Sequence, residues 1–310
     1  MGNYTYGPVP SRRLGRSLGV DLVPPKTCDF DCIYCQLGPG DQTTLDRREY
    51  APVEGVVEEV RARLAECARP DYVTLAGSGE PTLHASFGQV AAGIREVTDV
   101  PLALLTNGSL LHLPDVRAAC GALDLVLPSL DAGDEATFRR INRPHPDLTL
   151  EKVVEGLVRL RAEFDGQVWL EVFIIEGVNS DDEQVRRIKN HVERIRPHRV
   201  QINTAVRPPA EPAVETPSAD RLEEIRDILG SRAEIIAPVG ATAMDASGRA
   251  RKQEVLGLLQ RRPCTLRDVA AGLGIAPNEA VKYIRALLDE GQVRRRQRLY
   301  ETYYEAAGSG

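Results

Sequence analysis

The chain has 310 residues, a formal net charge of −6, 42% apolar and 27% charged residues. That is room for one large domain plus a small one with an ordinary globular core, and the charge excludes a chain that coats nucleic acid along its whole length. With no charged leader before an apolar stretch and no run near ~18 apolar residues, the expectation is a cytoplasmic protein with no membrane partner.

In chain order, 17–23 reads as a strand and 53–68 as a helix with Val57, Val60 and Leu64 on one face. Strands at 72–76, 101–105, 124–127, 168–175 and 199–202 follow, with helices at 89–97, 112–120, 135–141, 149–164, 181–195 and 218–229 between and after them. The six strands are continuous apolar runs, which implies burial on both faces and parallel pairing. A βα succession of this kind makes an α/β barrel or an open doubly wound sheet, and periodicity alone leaves both open. In either, chemistry sits at the strand C-termini. The unusual residues fall there: Gly77–Pro81, Thr106–Gly108, Ser129–Asp131, Gly177–Asn179 and Asn203.

The stretch 237–249 is small and Gly-rich and reads as a linker. Beyond it come helices at 253–260, from a Thr265 cap to 271, and at 278–290, a turn at Gly272-Leu273-Gly274, and two strands at 292–296 and 299–304. That is the order of a winged helix-turn-helix. The expected domains are therefore 1–236, a linker 237–249, and a winged helix over 250–306.

Three of the six cysteines lie within eight residues, in Cys28-Asp29-Phe30-Asp31-Cys32-Ile33-Tyr34-Cys35. Three thiolates at this spacing hold three irons of a [4Fe–4S] cubane and leave the fourth open. Structural zinc is the alternative, but it wants four N/S ligands, usually in two pairs, and Cys67, Cys120 and Cys264 are scattered through helices and the C-terminal unit. Cys120 and Cys264 read as buried structural residues.

The C-x₃-C-x₂-C spacing resembles the signature of the radical S-adenosylmethionine (SAM) superfamily. The resemblance implies a partial (β/α)6 TIM-type barrel, α/β in class, with Cys28, Cys32 and Cys35 as cluster ligands and SAM on the open iron. One electron from the cluster then splits the sulfonium bond, and the resulting 5′-deoxyadenosyl radical takes hydrogen from a substrate. It further implies that Tyr34 packs on the adenine. The turn Ala76-Gly77-Ser78-Gly79-Glu80-Pro81 resembles the family's Gly-Gly-Glu-Pro turn, with Ser78 inserted, so Gly77, Gly79, Glu80 and Pro81 are expected at the SAM amino group. Ser129 and Asp131 are expected at the ribose, and Arg143 at the methionine carboxylate. Asn107, Asn179 and Asn203 are further expected to line the pocket. The segment 7–38, with Pro8-Val9-Pro10-Ser11-Arg12-Arg13-Leu14-Gly15, resembles the branch grouped with the tRNA-modifying wyosine-base synthases. Their second cluster needs cysteines upstream of the main motif, and none precedes Cys28.

From Arg249 onward the chain carries 12 Lys and Arg against 7 Asp and Glu, about +5, while the rest carries 27 against 38, about −11. The charge gathers in Arg294-Arg295-Arg296-Gln297-Arg298, beside Tyr300, Tyr303 and Tyr304. Such a wing suits nucleic acid, and winged helices also dock peptides or proteins. The partners expected are a flavodoxin- or ferredoxin-type reductant and nucleic acid, peptide or protein at the wing. Two other whole-protein readings stand beside a hydrogen-abstracting enzyme: an activase that places a glycyl radical on a partner protein, and an iron–sulfur DNA-binding regulator.

Overall fold

The computed structural model describes residues 4–35, 37, 40, 42–204, 214–236, 246–261, 263–273, 275–298 and 301–307. Most of the expected linker, Gly274 and Tyr300 lie outside the described residues.

Eight strands form one sheet in chain order: β1 (Thr5–Ser11), β2 (Gly15–Val20), β3 (Tyr72–Leu75), β4 (Leu102–Thr106), β5 (Leu125–Pro128), β6 (Gln167–Ile174), β7 (Arg199–Thr204) and β8 (Ala233–Ile235). β1 runs antiparallel to β2, and every later pair is parallel. Helices α1 (Val53–Glu66), α2 (Phe87–Val97), α3 (Pro114–Ala119), α4 (Glu135–Asn142), α5 (Leu150–Glu163), α6 (Asp182–Ile195) and α7 (Ala219–Leu229) connect them. This is the mostly parallel α/β sheet of a partial barrel. The six expected strand–helix units are present. β1 and β8 are additions: two prolines and a glycine break the strand pattern of β1, and three residues are too few for a periodicity in β8.

Side chains alternate across each strand. Leu18, Val73, Leu75, Leu102, Leu104, Val126, Leu170, Val172, Val200 and Ile202 face the helices and join the main core. Their neighbours face the other way. Ala103, Leu105, Leu125, Leu127 and Trp169 form a smaller apolar cluster there, and Ser17, Thr74, Glu171 and Asn203 bring polar groups to the same face. Burying these polar groups costs free energy unless each finds a partner. Ser17 and Thr74 bond each other, and Asn203 Nδ2 donates to Glu171 Oε1 at 2.6 Å. Helix entry is fixed by side-chain caps: Asp134, Thr149, Asp181 and Ser218 each accept from the backbone N–H three residues on.

The C-terminal residues form α8 (Ala246–Arg261), β9 (Cys264–Thr265), α9 (Leu266–Leu273), α10 (Pro277–Asp289), β10 (Val293–Arg298) and β11 (Glu301–Ala306). The three strands make their own antiparallel sheet in the order β10-β11-β9. Val255, Leu259, Cys264, Val269, Tyr283, Ile284 and Leu287 form a core separate from that of the barrel. Thr265 and Asp268 cap each other's backbone N–H at 3.2 and 2.9 Å, a reciprocal box that starts α9.

Candidate functional site: the cysteine loop and the cavity beside it

The loop after β2 carries the three clustered cysteines and is zipped onto the C-terminal end of α4. Ile33 N donates to Ile141 O at 2.9 Å, Asp31 N to Asn142 O at 3.0 Å, and His145 N to Asp29 O at 2.8 Å. Each thiol receives an N–H donor. Phe30 N lies 3.5 Å from Cys28 Sγ, with Asn107 Nδ2 at 3.8 Å. Asn142 Nδ2 lies 3.5 Å from Cys32 Sγ, and Lys26 Nζ is 3.5 Å from Cys35 Sγ. Such donors favour thiolate over thiol and tune a cluster's potential. Burial works against them, pushing the Cys28 and Cys32 thiols well above their ordinary range. The metal-free loop therefore holds protonated sulfur there, and iron binding releases those protons.

No group of three or more His, Cys, Asp or Glu side chains among the described residues closes on one point as a single metal ion requires. Three sulfurs with donors from three segments, the loop itself and the ends of β4 and α4, next to a cavity, fit a larger group with an open corner. Asp29, between the first two cysteines, is fully buried. It accepts from Asn107 Nδ2 at 2.6 Å and from the Ser109 hydroxyl, which ties the loop to the end of β4. Sequence reading passed over Asp29, Asn142 and Lys26; only their place beside the motif singles them out.

The turn after β3 has no room for side chains at its glycines. A Cβ on Gly79 would stand 2.1 Å from Thr27 O, and one on Gly77 would stand 1.9 Å from Asp21 Oδ1. Asp21, just past β2, holds the turn: its Oδ2 accepts from Ser78 N at 2.9 Å and Ser78 Oγ at 2.6 Å. Burial lifts its carboxyl from 3.8 to about 6, against the lowering effect of those two bonds. The unfolded chain thus gives up this proton near pH 4 and the native protein near pH 6. Stability from this group is full below about pH 4 and is lost as pH rises through about 6. Asp21→Asn in the metal-free protein is expected to lose less stability between pH 4 and 7 than the parent, by about 1–3 kcal/mol in urea denaturation.

Glu80 is 2% exposed and enclosed by donors. Oε1 accepts from Thr82 N at 3.0 Å, Thr82 Oγ1 at 2.6 Å and Thr106 Oγ1 at 2.7 Å, and Oε2 accepts from Asn107 N at 2.8 Å. It keeps an edge on the cavity.

Tyr34 stacks on Phe173 of β6, with ring centroids 4.0 Å apart and planes 9° from parallel. Its hydroxyl donates to Asp131 Oδ2 at 2.5 Å. Asp131 also accepts from Asn142 Nδ2 at 2.9 Å and Phe173 N at 2.9 Å, and burial raises its carboxyl to about 6. Across the sheet, Arg13 pairs with Glu171, which also takes the Asn203 amide.

These groups surround a cavity of about 380 Å³. Among the expected residues, Cys28, Tyr34, Cys35, Gly77, Gly79 and Glu80 line it, and so do Asn107, Ser129 and Asn203. Cys32, Pro81, Asp131, Arg143 and Asn179 are not among its lining. Asp131 stands behind Tyr34 with its carboxylate taken by protein donors. Asn179 is fully buried and bonds Asp131 O, Phe173 O and Ile175 N. Arg143 is an exposed left-handed cap of α4, and it is its carbonyl that meets the cysteine loop, at Asp31 N. The guanidinium groups that do line the cavity are Arg12 and Arg13, from the turn between β1 and β2.

The model for the radical SAM superfamily matches residues 22–204. The chain is 35% identical over 292 residues to a protein called GTPase Obg from Brachyspira hyodysenteriae, covering 93% of this chain but only 43% of that longer one. It is 36% identical to UPF0026 protein MJ1312 of Methanocaldococcus jannaschii, covering 74% and 71% of the two chains. In fold it resembles a radical SAM methyltransferase from Sphaerobacter thermophilus, with a TM-score of 0.53 and 18% identity over 72% of this chain and 67% of that one. Because the family match spans more than half of the sequence and contains the cysteine loop, the glycine turn and β3 to β7, the chain belongs to the radical SAM superfamily, with a [4Fe–4S] cluster and S-adenosylmethionine as its cofactors.

Proposed function

We propose that this enzyme abstracts a hydrogen atom from a substrate seated in the cavity beside the cysteine loop. When bound, the cluster and SAM supply a 5′-deoxyadenosyl radical, and the protein supplies position, dryness and charge. Cys28, Cys32 and Cys35 hold iron, and their N–H donors offset the charge that an added electron brings. Glu80 faces the methionine ammonium, and the missing side chains of Gly77 and Gly79 let it approach. Tyr34 gives the adenine an apolar edge, fixed by Phe173 on one side and Asp131 on the other. Ser129 offers a hydrogen bond to the ribose, and Asn107, whose amide is committed to Asp29 and Ser109, shapes the pocket wall. Arg12 and Arg13, rather than Arg143, bring positive charge to the cavity, with Arg13 paired to Glu171. A flavodoxin- or ferredoxin-type protein delivers the electron, and the C-terminal unit is read as a winged helix.

The observation that carries this reading is one cavity shared by two ligand thiols and the Gly-Ser-Gly-Glu turn. The test is anaerobic reconstitution with iron and sulfide, then SAM and dithionite. Equal amounts of 5′-deoxyadenosine and methionine are expected. A brown, reducible protein that binds SAM and yields neither would defeat the reading.

A further inference from the structure

The cavity has a wall that the superfamily match, ending at residue 204, does not include. Asn278 and Lys282, one turn apart on α10, both line it. Ala276, at the start of α10, is buried against Tyr6 and Val9 of β1. The Lys282 ammonium lies over the Tyr6 ring, 5.7 Å from its centroid. The Tyr6 hydroxyl donates to Ala76 O at 3.1 Å and is bonded by the Asn278 side chain. Tyr6 therefore touches the SAM-side turn with its hydroxyl and the C-terminal unit with both hydroxyl and ring. A Cβ on Gly19 would stand 2.0 Å from that ring, so the glycine is what admits it against β2.

The charges on this wall favour an anion. Arg12, Arg13 and Lys282 line the cavity, against the carboxylates Glu80 and Glu171. Glu80 is held by four donors and, on the radical SAM reading, answers the methionine ammonium, and Glu171 is paired with Arg13 and Asn203. The acid nearest Lys282 on its own helix, Glu279, is buried, accepts from Tyr283 Oη at 3.0 Å, and feels Arg251 and Arg63 ahead of Lys282. With Arg13 committed to Glu171, the positive residues left on this side of the cavity are Arg12 and Lys282, with Asn278 beside them. A guanidinium fork and an ammonium around one space suit an oxyanion.

We propose that α10 is part of the active site, and that Lys282 and Asn278 with Arg12 bind an oxyanion, phosphate or carboxylate, carried by the substrate. The proposal rests on the radical SAM reading of the cavity. It gives the C-terminal unit a task inside the active site, where a unit reserved for outside partners would need no residue.

The chain has five lysines, Lys26, Lys152, Lys189, Lys252 and Lys282, so each is resolvable by NMR after reductive ¹³C-methylation. The full-length, cluster-loaded protein is saturated with SAM, so that the cofactor's own carboxylate is already in place. Pyrophosphate is titrated in one arm and glutarate in the other, against chloride at equal ionic strength. The Lys282 signal, identified by its loss in Lys282→Arg, is expected to shift saturably in one arm while Lys152 and Lys189 stay still; the active arm names the oxyanion. Arg12→Ala and Asn278→Ala are expected to weaken that shift about tenfold. A Lys282 signal that moves in neither arm, or moves equally with chloride, overturns the proposal. 5′-Deoxyadenosine formation by the parent protein is scored separately, so failure of this site and failure of the radical reading are distinguishable.

Discussion

Cys32→Ala is expected to erase the brown chromophore of the reconstituted protein and to lower 5′-deoxyadenosine formation by more than about a hundredfold, with the fold intact. Outer partners of a metal typically contribute 10–100-fold, and loss of a direct ligand removes more. Cys32 is the informative choice among the three because its neighbours have other work. Asn142 Nδ2 keeps its 2.9 Å bond to Asp131 when the sulfur is gone, and the loop keeps its backbone bonds to Ile141, Asn142 and Arg143. Cys120→Ala is the control, since that thiol is buried and donates to Val116 O at 3.4 Å. Iron and sulfide content with an absorption spectrum near 400 nm reads the result. A full chromophore in Cys32→Ala would mean that another residue completes the ligand set.

Glu80 separates two roles that its position combines. Removing its carboxylate strands two backbone N–H groups and two hydroxyls at a nearly closed site, and an unpaired buried polar group costs about 1–3 kcal/mol. Glu80→Ala is therefore expected to lower unfolding stability by roughly 3 kcal/mol, less than the simple sum because the threonine hydroxyls can turn. Glu80→Gln keeps one acceptor oxygen and the side-chain volume, and sets an amide against the donor Asn107 N. Its stability loss is expected to be smaller, about 1–2 kcal/mol, while SAM affinity falls at least about tenfold because an amide no longer answers the ammonium charge. Equilibrium dialysis with SAM on the folded Gln variant checks this. Unchanged affinity would make Glu80 a brace of the turn and leave the ammonium to backbone carbonyls.

The same split marks what was legible in the sequence. The turn itself was, because two glycines, a carboxylate and a proline stand in a row. Its brace was not. Asp21 lies 57 residues before Ser78 in sequence and meets it only because β2 and β3 are paired. Asp131 was read as a contact for ribose, yet Tyr34, 97 residues away, takes its carboxylate. Arg143 was chosen from an arginine-rich stretch, but the left-handed cap of α4 leaves its side chain exposed and offers its carbonyl to the loop. Arg12 and Arg13 enter the cavity instead, carried there by the antiparallel turn between β1 and β2.

The sequence by itself determined the strand–helix succession, the three clustered cysteines, the glycine turn and the Thr265 cap. Each is written in residues close along the chain, as periodicity, spacing or a local hydrogen bond. Only the tertiary structure decided which polar residues share the cavity, which carboxylates are spent on neighbours, and that α10 reaches Tyr6. Those outcomes depend on strand pairing and on packing between segments far apart in sequence, and on the need of every buried polar group for a partner, none of which a local pattern encodes.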